Sequence, residues 1–201
     1  MSAHTLPKPW IFFPQLEQAY LEVIAQELLD VFYDTQAQLS TADDSNYTRG
    51  TCTVGRQINR IIRLCMSGQH PWLELANPNM DLTFKIHGIP VRIFADDPKK
   101  PKKPNFFRHN AMDNLFAPEL GGPVLHRFVL EKPKLEDEEA LMHFVGYNAF
   151  DEPVSLWTYR ESVTVLHEVG AGEPPAVDIT LDDIDVAEQH RSAPEQGADS
   201  K

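Results

Sequence analysis

Apolar residues recur at a helical period in the first third of the chain and at the two-residue period of strands in much of the remainder. From Gln15 to about Gln38 they fall at Leu16, Tyr20, Val23/Ile24, Leu28 and Val31/Phe32, one face of a helix. Pro14 suits the first turn of that helix, where its missing N–H costs nothing. Leu21, Leu29 and Tyr33 widen the stripe, so the helix is expected to touch core on more than one side. The polar run Ser40–Asn46 ends it. A second helix is predicted from Thr53, as N-cap, to a stop at Gly68. Val54, Ile58, Ile61, Ile62 and Cys65 share one of its faces, and Arg56, Arg60 and Arg63 lie together on the opposite one.

The pattern then changes. Residues Gln69–Met80 hold two prolines and read as a loop with a short strand at Trp72–Leu75. Leu82–Phe94 reads as a hairpin around a His87-Gly88 turn, where glycine tolerates positive φ. Pro90 places the second arm at a sheet edge, or turns its N-side outward. Asp96–Asn105, rich in proline and lysine, is expected to project as an extended basic loop. A short helix is read at Ala111–Phe116, and Gly121-Gly122-Pro123 breaks the chain.

Three strands then form a meander: Val124–Glu131, Leu141–Ala149 and Val154–Arg160. With Phe150–Pro153 as the last loop, Tyr147 lies near Leu156, Val145 near Thr158, and Phe128 near Phe144. Alternation then gives one face to His126, Phe128, Leu130, Met142, Phe144, Trp157 and Tyr159. The other face receives Arg127, Val129, Glu131, His143, Val145, Leu156 and Arg160. The aromatic face requires a helix layer, whereas the mixed face suits water or a ligand. Helices first and strands later argue for an α+β fold. The expectation is an antiparallel sheet of about five to six strands, a meander plus a hairpin, with two N-terminal helices on one face.

Both ends of the chain are distinct in character. The arm of residues 1–13 carries Trp10 and Phe12, read as closing one edge of the core, with partner binding as the other reading. Val163, Val165 and Leu166 continue the strand pattern past Arg160. Gly170–Pro175 punctuates it, giving a single domain over 1–170 and an acidic tail over 171–201 that is expected to be largely disordered. Within the tail, aliphatic residues alternate with Asp178, Asp182, Asp183 and Asp185, a pattern that suits docking on a partner or a terminal strand of the chain itself.

Composition narrows the function without choosing it. Hydrophobic residues are 42% and charged residues 24%, as in a soluble globular protein. No apolar run reaches the roughly 20 residues of a membrane span. The N-terminus lacks the pattern of a signal peptide, so a cytoplasmic location is expected, with Cys52 and Cys65 reduced. A net charge of −12 disfavours direct nucleic-acid binding. Arg49–Arg63 and Lys99–Lys103 are nevertheless locally basic.

No nucleotide-binding, zinc or hydrolase motif occurs, and neither cofactor nor metal is expected. One set of residues shares the mixed face in the register above: Arg127, Glu131, His143 and Arg160. A carboxylate, an imidazole and two guanidinium groups are the parts needed for acid–base work on an anionic substrate. Cross-strand ion pairing is the plainer reading. A metal-dependent nuclease would instead use Asp96 or Asp97 with Glu131 and Lys132 or Lys134, although their spacing is loose. Arg56, Arg60 and Arg63 form either a solvated face paired to acids of the first helix, an anion site or a protein-docking face. The leading expectation is a protein that works by binding another protein, as regulator, inhibitor or complex subunit. The alternatives are an enzyme acting on nucleic acid or a phosphorylated substrate, and an acidic mimic of nucleic acid.

Overall fold

A computed structural model describes residues 5–116, 122–135 and 138–159. A one-turn helix, α1 (Pro9–Phe12), precedes two long ones, α2 (Gln18–Gln38) and α3 (Asn46–Met66). Pro14 does not open α2. It lies in a turn closed by the Leu16 N–H on the Phe13 carbonyl at 2.8 Å, which tucks Leu16 into the core before the helix begins. α3 starts well ahead of Thr53 because Ser45 caps it, its hydroxyl accepting from the Thr48 N–H at 3.1 Å. The Thr53 hydroxyl instead donates to the Arg49 carbonyl inside the helix. Gly50, Thr51, Thr53 and Gly55 are weak helix formers, which hides the first turns from a propensity reading.

Six strands form one sheet in sequence order: β1 (Leu73–Asn77), β2 (Thr83–Ile86), β3 (Ile89–Ala95), β4 (Leu125–Glu131), β5 (Leu141–Tyr147) and β6 (Pro153–Tyr159). Every neighbouring pair is antiparallel except β3 and β4, which run parallel. Their crossover carries a short helix, α4 (Ala111–Leu115). The architecture is therefore α+β with a mostly antiparallel sheet. Pro90 sits inside this sheet rather than at its edge. It lies opposite Lys85, and the ladder to β4 begins only at Arg92, so no bond misses its N–H.

The helices cover the aromatic face. Leu21, Ile24, Leu28, Phe32, Ile58 and Ile61 pack with Phe84, Ile86, Phe128, Leu130, Met142, Phe144 and Trp157. Phe128 and Phe144 meet edge to face at 4.9 Å, in the pairing expected from the pattern. At the last hairpin the register differs by two residues from that expectation. Asn148 closes a longer loop, its side-chain oxygen accepting from the Phe150 and Glu152 N–H groups, with Asp151 at φ 63°. Val145 thus faces Leu156, and Thr158 faces His143. A two-residue slip preserves both faces, since side chains repeat every two residues.

The mixed face is buried over most of β4 and β5 and stays partly exposed at Glu131, Leu156 and Thr158. Leu125, Val129, Val145 and Tyr147 form a second buried cluster with Phe106. The proline/lysine segment folds back to make this possible. Asp96 accepts from the Lys102 and Lys103 N–H groups at 2.9 and 2.8 Å, and Asp97 from Lys99 at 2.8 Å. The Tyr147 hydroxyl donates to the Pro98 carbonyl at 3.1 Å. α4 is held by a reciprocal cap between Asn110 and Asp113.

At the sheet's other end the Leu156 N–H donates to the Pro7 carbonyl, so the N-terminal arm lies along β6. Trp10 and Phe13, rather than Phe12, pack on the core. Gly146 marks a tight crossing: a Cβ there would stand 2.5 Å from Ser155 Oγ and 2.8 Å from Pro123 Cβ. Gly146→Ala should therefore destabilise the fold by about 1–3 kcal/mol. A denaturant midpoint equal to that of the wild type would contradict this. Arg160, the continuation at Val163–Leu166, the boundary near Gly170 and the whole tail lie outside the described residues.

Candidate functional site

Arg127 and Glu131 both lie on β4, and neither meets the other. Four residues of strand separate them by about 13 Å. Arg127 is sealed inside the protein, with an exposure of 0%. Its guanidinium faces the buried Asp113 carboxylate at 3.4 Å. Its Nε donates to the Phe106 carbonyl at 3.2 Å and one terminal nitrogen to the His126 carbonyl at 2.9 Å. The Phe94 ring lies 5.8 Å from it. Burial presses its pKa down, and the Asp113 charge opposes that. Arg127 is thus spent on anchoring α4 and the Phe106 segment to the sheet.

Glu131 and His143 do converge. His143 Nε2 stands 3.0 Å from a Glu131 carboxylate oxygen, and Nδ1 stands 2.9 Å from the Thr158 hydroxyl. Burial holds His143 below its ordinary imidazole range, against the upward pull of Glu131, so it is neutral near pH 7. A carboxylate only accepts, so Nε2 carries the proton and donates to Glu131. Nδ1 then accepts from the Thr158 hydroxyl. The order hydroxyl, imidazole, carboxylate is that of an activated-nucleophile relay. It is also a sound cross-strand clamp, tying β4, β5 and β6 together. Lys134 approaches the other Glu131 oxygen at 3.7 Å.

Beside Glu131, the ends of the parallel pair β3 and β4 open on a shallow groove of about 170 Å³. Asp96, Asp97, Glu131, Lys132 and Lys134 line it, which are the residues a nuclease reading requires. Their carboxylates are already committed. Asp96 and Asp97 accept from loop N–H groups, and Glu131 is shared between His143 and Lys134. Among the described residues no three histidine, cysteine, aspartate or glutamate side chains are disposed to share a metal ion.

The three arginines of α3 lie elsewhere, across a polar cleft between α2 and α3 of about 420 Å³. Val31, Asp34, Thr35 and Gln38 form its α2 wall, and Arg56, Asn59, Arg60 and Arg63 its α3 wall. The sequence places them there because they recur every three to four residues along one helix. Arg60 forms an ion pair with Glu27. Arg56 donates to the Thr35 hydroxyl at 3.2 Å. Arg63 is exposed in the last turn. Among the described residues neither Arg56 nor Arg63 has a carboxylate within ion-pair distance. Asp178, Asp182, Asp183 and Asp185 lie outside the described residues.

Sequence reasoning did not single out several buried polar groups, among them Arg92, Asp113 and His126. Asp113, the partner of Arg127, lies within the short helix read at Ala111–Phe116, where nothing marked it as buried. His126 is wholly buried among Phe13, Phe116 and Phe144, and neither ring nitrogen has a partner among the described residues. The one available signal was the place of His126 on the aromatic face of β4. Compared with protein-family models, curated proteins and solved structures, the chain matches none. Among the described residues no helix is long and apolar enough to cross a membrane.

Proposed function

We propose that the chain works by binding another protein, as a regulator, inhibitor or subunit of a complex in the cytoplasm. The observation that supports this is the cleft between α2 and α3. Arg56, Arg60 and Arg63 line it, Arg63 exposed and the other two half-buried, and among the described residues only Arg60 is matched with a carboxylate. Exposed guanidinium groups in a rigid helical frame recognise acidic side chains through paired N–H donors. The partner is therefore an acidic protein surface. The two buried arginines of the sheet are matched internally, Arg127 by Asp113 and Arg92 by Asp81. In the cleft, by contrast, Arg56 and Arg63 have no carboxylate within ion-pair distance among the described residues.

Tagged full-length chain drawn through native lysate, beside the Arg56→Gln/Arg60→Gln/Arg63→Gln variant, tests this reading. The wild type should retain a defined partner and the variant should lose it. A wild type that emerges alone and monomeric would overturn the proposal, as would a partner retained equally by both.

One observation favours a second, enzymatic reading: the Thr158–His143–Glu131 relay. Glu131→Ala with His143→Ala separates the two. If the variant stays folded, it keeps a protein partner under the first reading and loses all turnover under the second.

A further inference from the structure

β3 outruns its neighbour. β2 pairs with it at Ile86–Ile89, Lys85–Pro90 and Phe84–Val91 and then stops. From Arg92 to Ala95 the strand continues, held on its other side by β4. The direction of its backbone groups follows from two fixed points. Ile86 and Ile89 close a two-residue turn, so Ile89 and Val91 aim their N–H and C=O at β2. The Asp96 N–H donates to the Leu130 carbonyl of β4 at 3.2 Å, so Phe94 shares that side. Alternation leaves the N–H and C=O of Ile93 and Ala95 pointing away from β4. Among the described residues no strand pairs with them.

These groups open on a groove of about 210 Å³. Val54 and Ile58 of α3 form an apolar wall on the helix side of the sheet. Lys103 and Asn105 stand on the other side, and Met80 and Leu82 mark where β2 would have continued. Asp81, also on the rim, is already bound to Arg92 at 2.5 Å. Lys103 has no carboxylate partner among the described residues and belongs to a run with Lys99, Lys100 and Lys102, all exposed. An unpaired strand edge with an apolar wall and a basic rim is the combination that strand addition uses.

We propose that this groove takes an extended segment of another protein as an added strand beside β3, its aliphatic side chains towards Val54 and Ile58 and an acidic one towards Lys103. The added strand bonds to the N–H and C=O of Ile93 and Ala95. Its side chains alternate as the sheet requires, aliphatic beneath α3 and acidic over the lysine loop. This surface is separate from the arginine cleft, and the inference stands whether or not that cleft binds a protein.

The test is a titration of isotope-labelled full-length chain with a short synthetic peptide alternating isoleucine and aspartate. A second peptide carries asparagine in place of aspartate. Saturable shifts at the Ile93 and Ala95 amides, with slowed hydrogen exchange at both, are expected. Lys103→Glu should weaken the acidic peptide by about fivefold and leave the asparagine peptide nearly unchanged. Ala95→Pro, which removes a groove-facing N–H, should abolish binding of both. Should that variant misfold, protection of the Ile93 and Ala95 amides in the wild type decides alone. Shifts scattered over the lysines without such protection would overturn the proposal, as would an equal effect of Lys100→Glu and Lys103→Glu.

Discussion

Asp113→Ala should cost the fold about 3–5 kcal/mol, because it strands a buried guanidinium without its counter-charge. With the carboxylate gone, Arg127 keeps only the Phe106 and His126 carbonyls as acceptors. The same change removes one half of the reciprocal cap of α4, since Asp113 also accepts from the Asn110 N–H at 3.1 Å, while the Asn110 side chain still caps the helix. Domains of this size have a total stability of roughly 5–15 kcal/mol, so the variant should be marginal at room temperature. Removing both charges is a different matter. Asp113→Leu with Arg127→Met exchanges a buried ion pair for apolar packing and should recover much of the loss. Equilibrium unfolding in urea, read by circular dichroism, measures both variants. A loss below about 1 kcal/mol in Asp113→Ala would mean that the pair holds nothing together.

Acid should weaken the fold through His126. Its imidazole is wholly buried, and burial, with the nearby Arg127 charge adding to it, drives its pKa down to about 3. In the unfolded chain the same group takes a proton below about pH 6.5. Between those values the unfolded state binds more protons than the folded one, so stability falls as pH falls. The slope approaches about 1.4 kcal/mol per pH unit, which makes roughly 2 kcal/mol by pH 5. His143, also held low by burial, adds in the same direction. His126→Leu fills the same aromatic nest with no group to protonate. Its stability should fall less between pH 7 and pH 5 than that of the wild type, and at pH 7 it should be no lower. Parallel pH profiles for the two proteins would show that His126 is not the acid-sensitive group.

Much of this fold was legible because burial leaves a period behind. The helix layer, the His87-Gly88 hairpin and the aromatic face of the meander all follow from alternation or the helical repeat. Phe128 opposite Phe144 is a case where the pattern gave the pairing itself. The misplaced last hairpin shows the limit: alternation constrains the face, and only the Asn148 turn selects the register. Apart from the short helix read at Ala111–Phe116, which the structure places at Ala111–Leu115, the crossover between β3 and β4 was illegible for a different reason. Its order comes from aspartates binding the few N–H groups that a proline-rich loop retains, and from one residue, Phe106, reaching the core. Neither leaves a period. The same blindness affected the candidate site. Arg127, Glu131 and His143 were placed on one face correctly, but only the buried Asp113 explains why Arg127 turns away from the other two. The arginine repeat of α3 was visible as a stripe, while the cleft it lines depends on where α2 lies.

The most direct measurement is the affinity of the captured partner for three full-length chains, by calorimetry across a range of salt. If the arginine cleft is the docking surface, Arg56→Gln/Arg60→Gln/Arg63→Gln should bind at least about tenfold more weakly than the wild type, with a flatter salt dependence. Glu131→Ala/His143→Ala should bind as the wild type does. Unchanged affinity in the arginine variant, with loss in the Glu131/His143 variant, would contradict a docking role for the cleft.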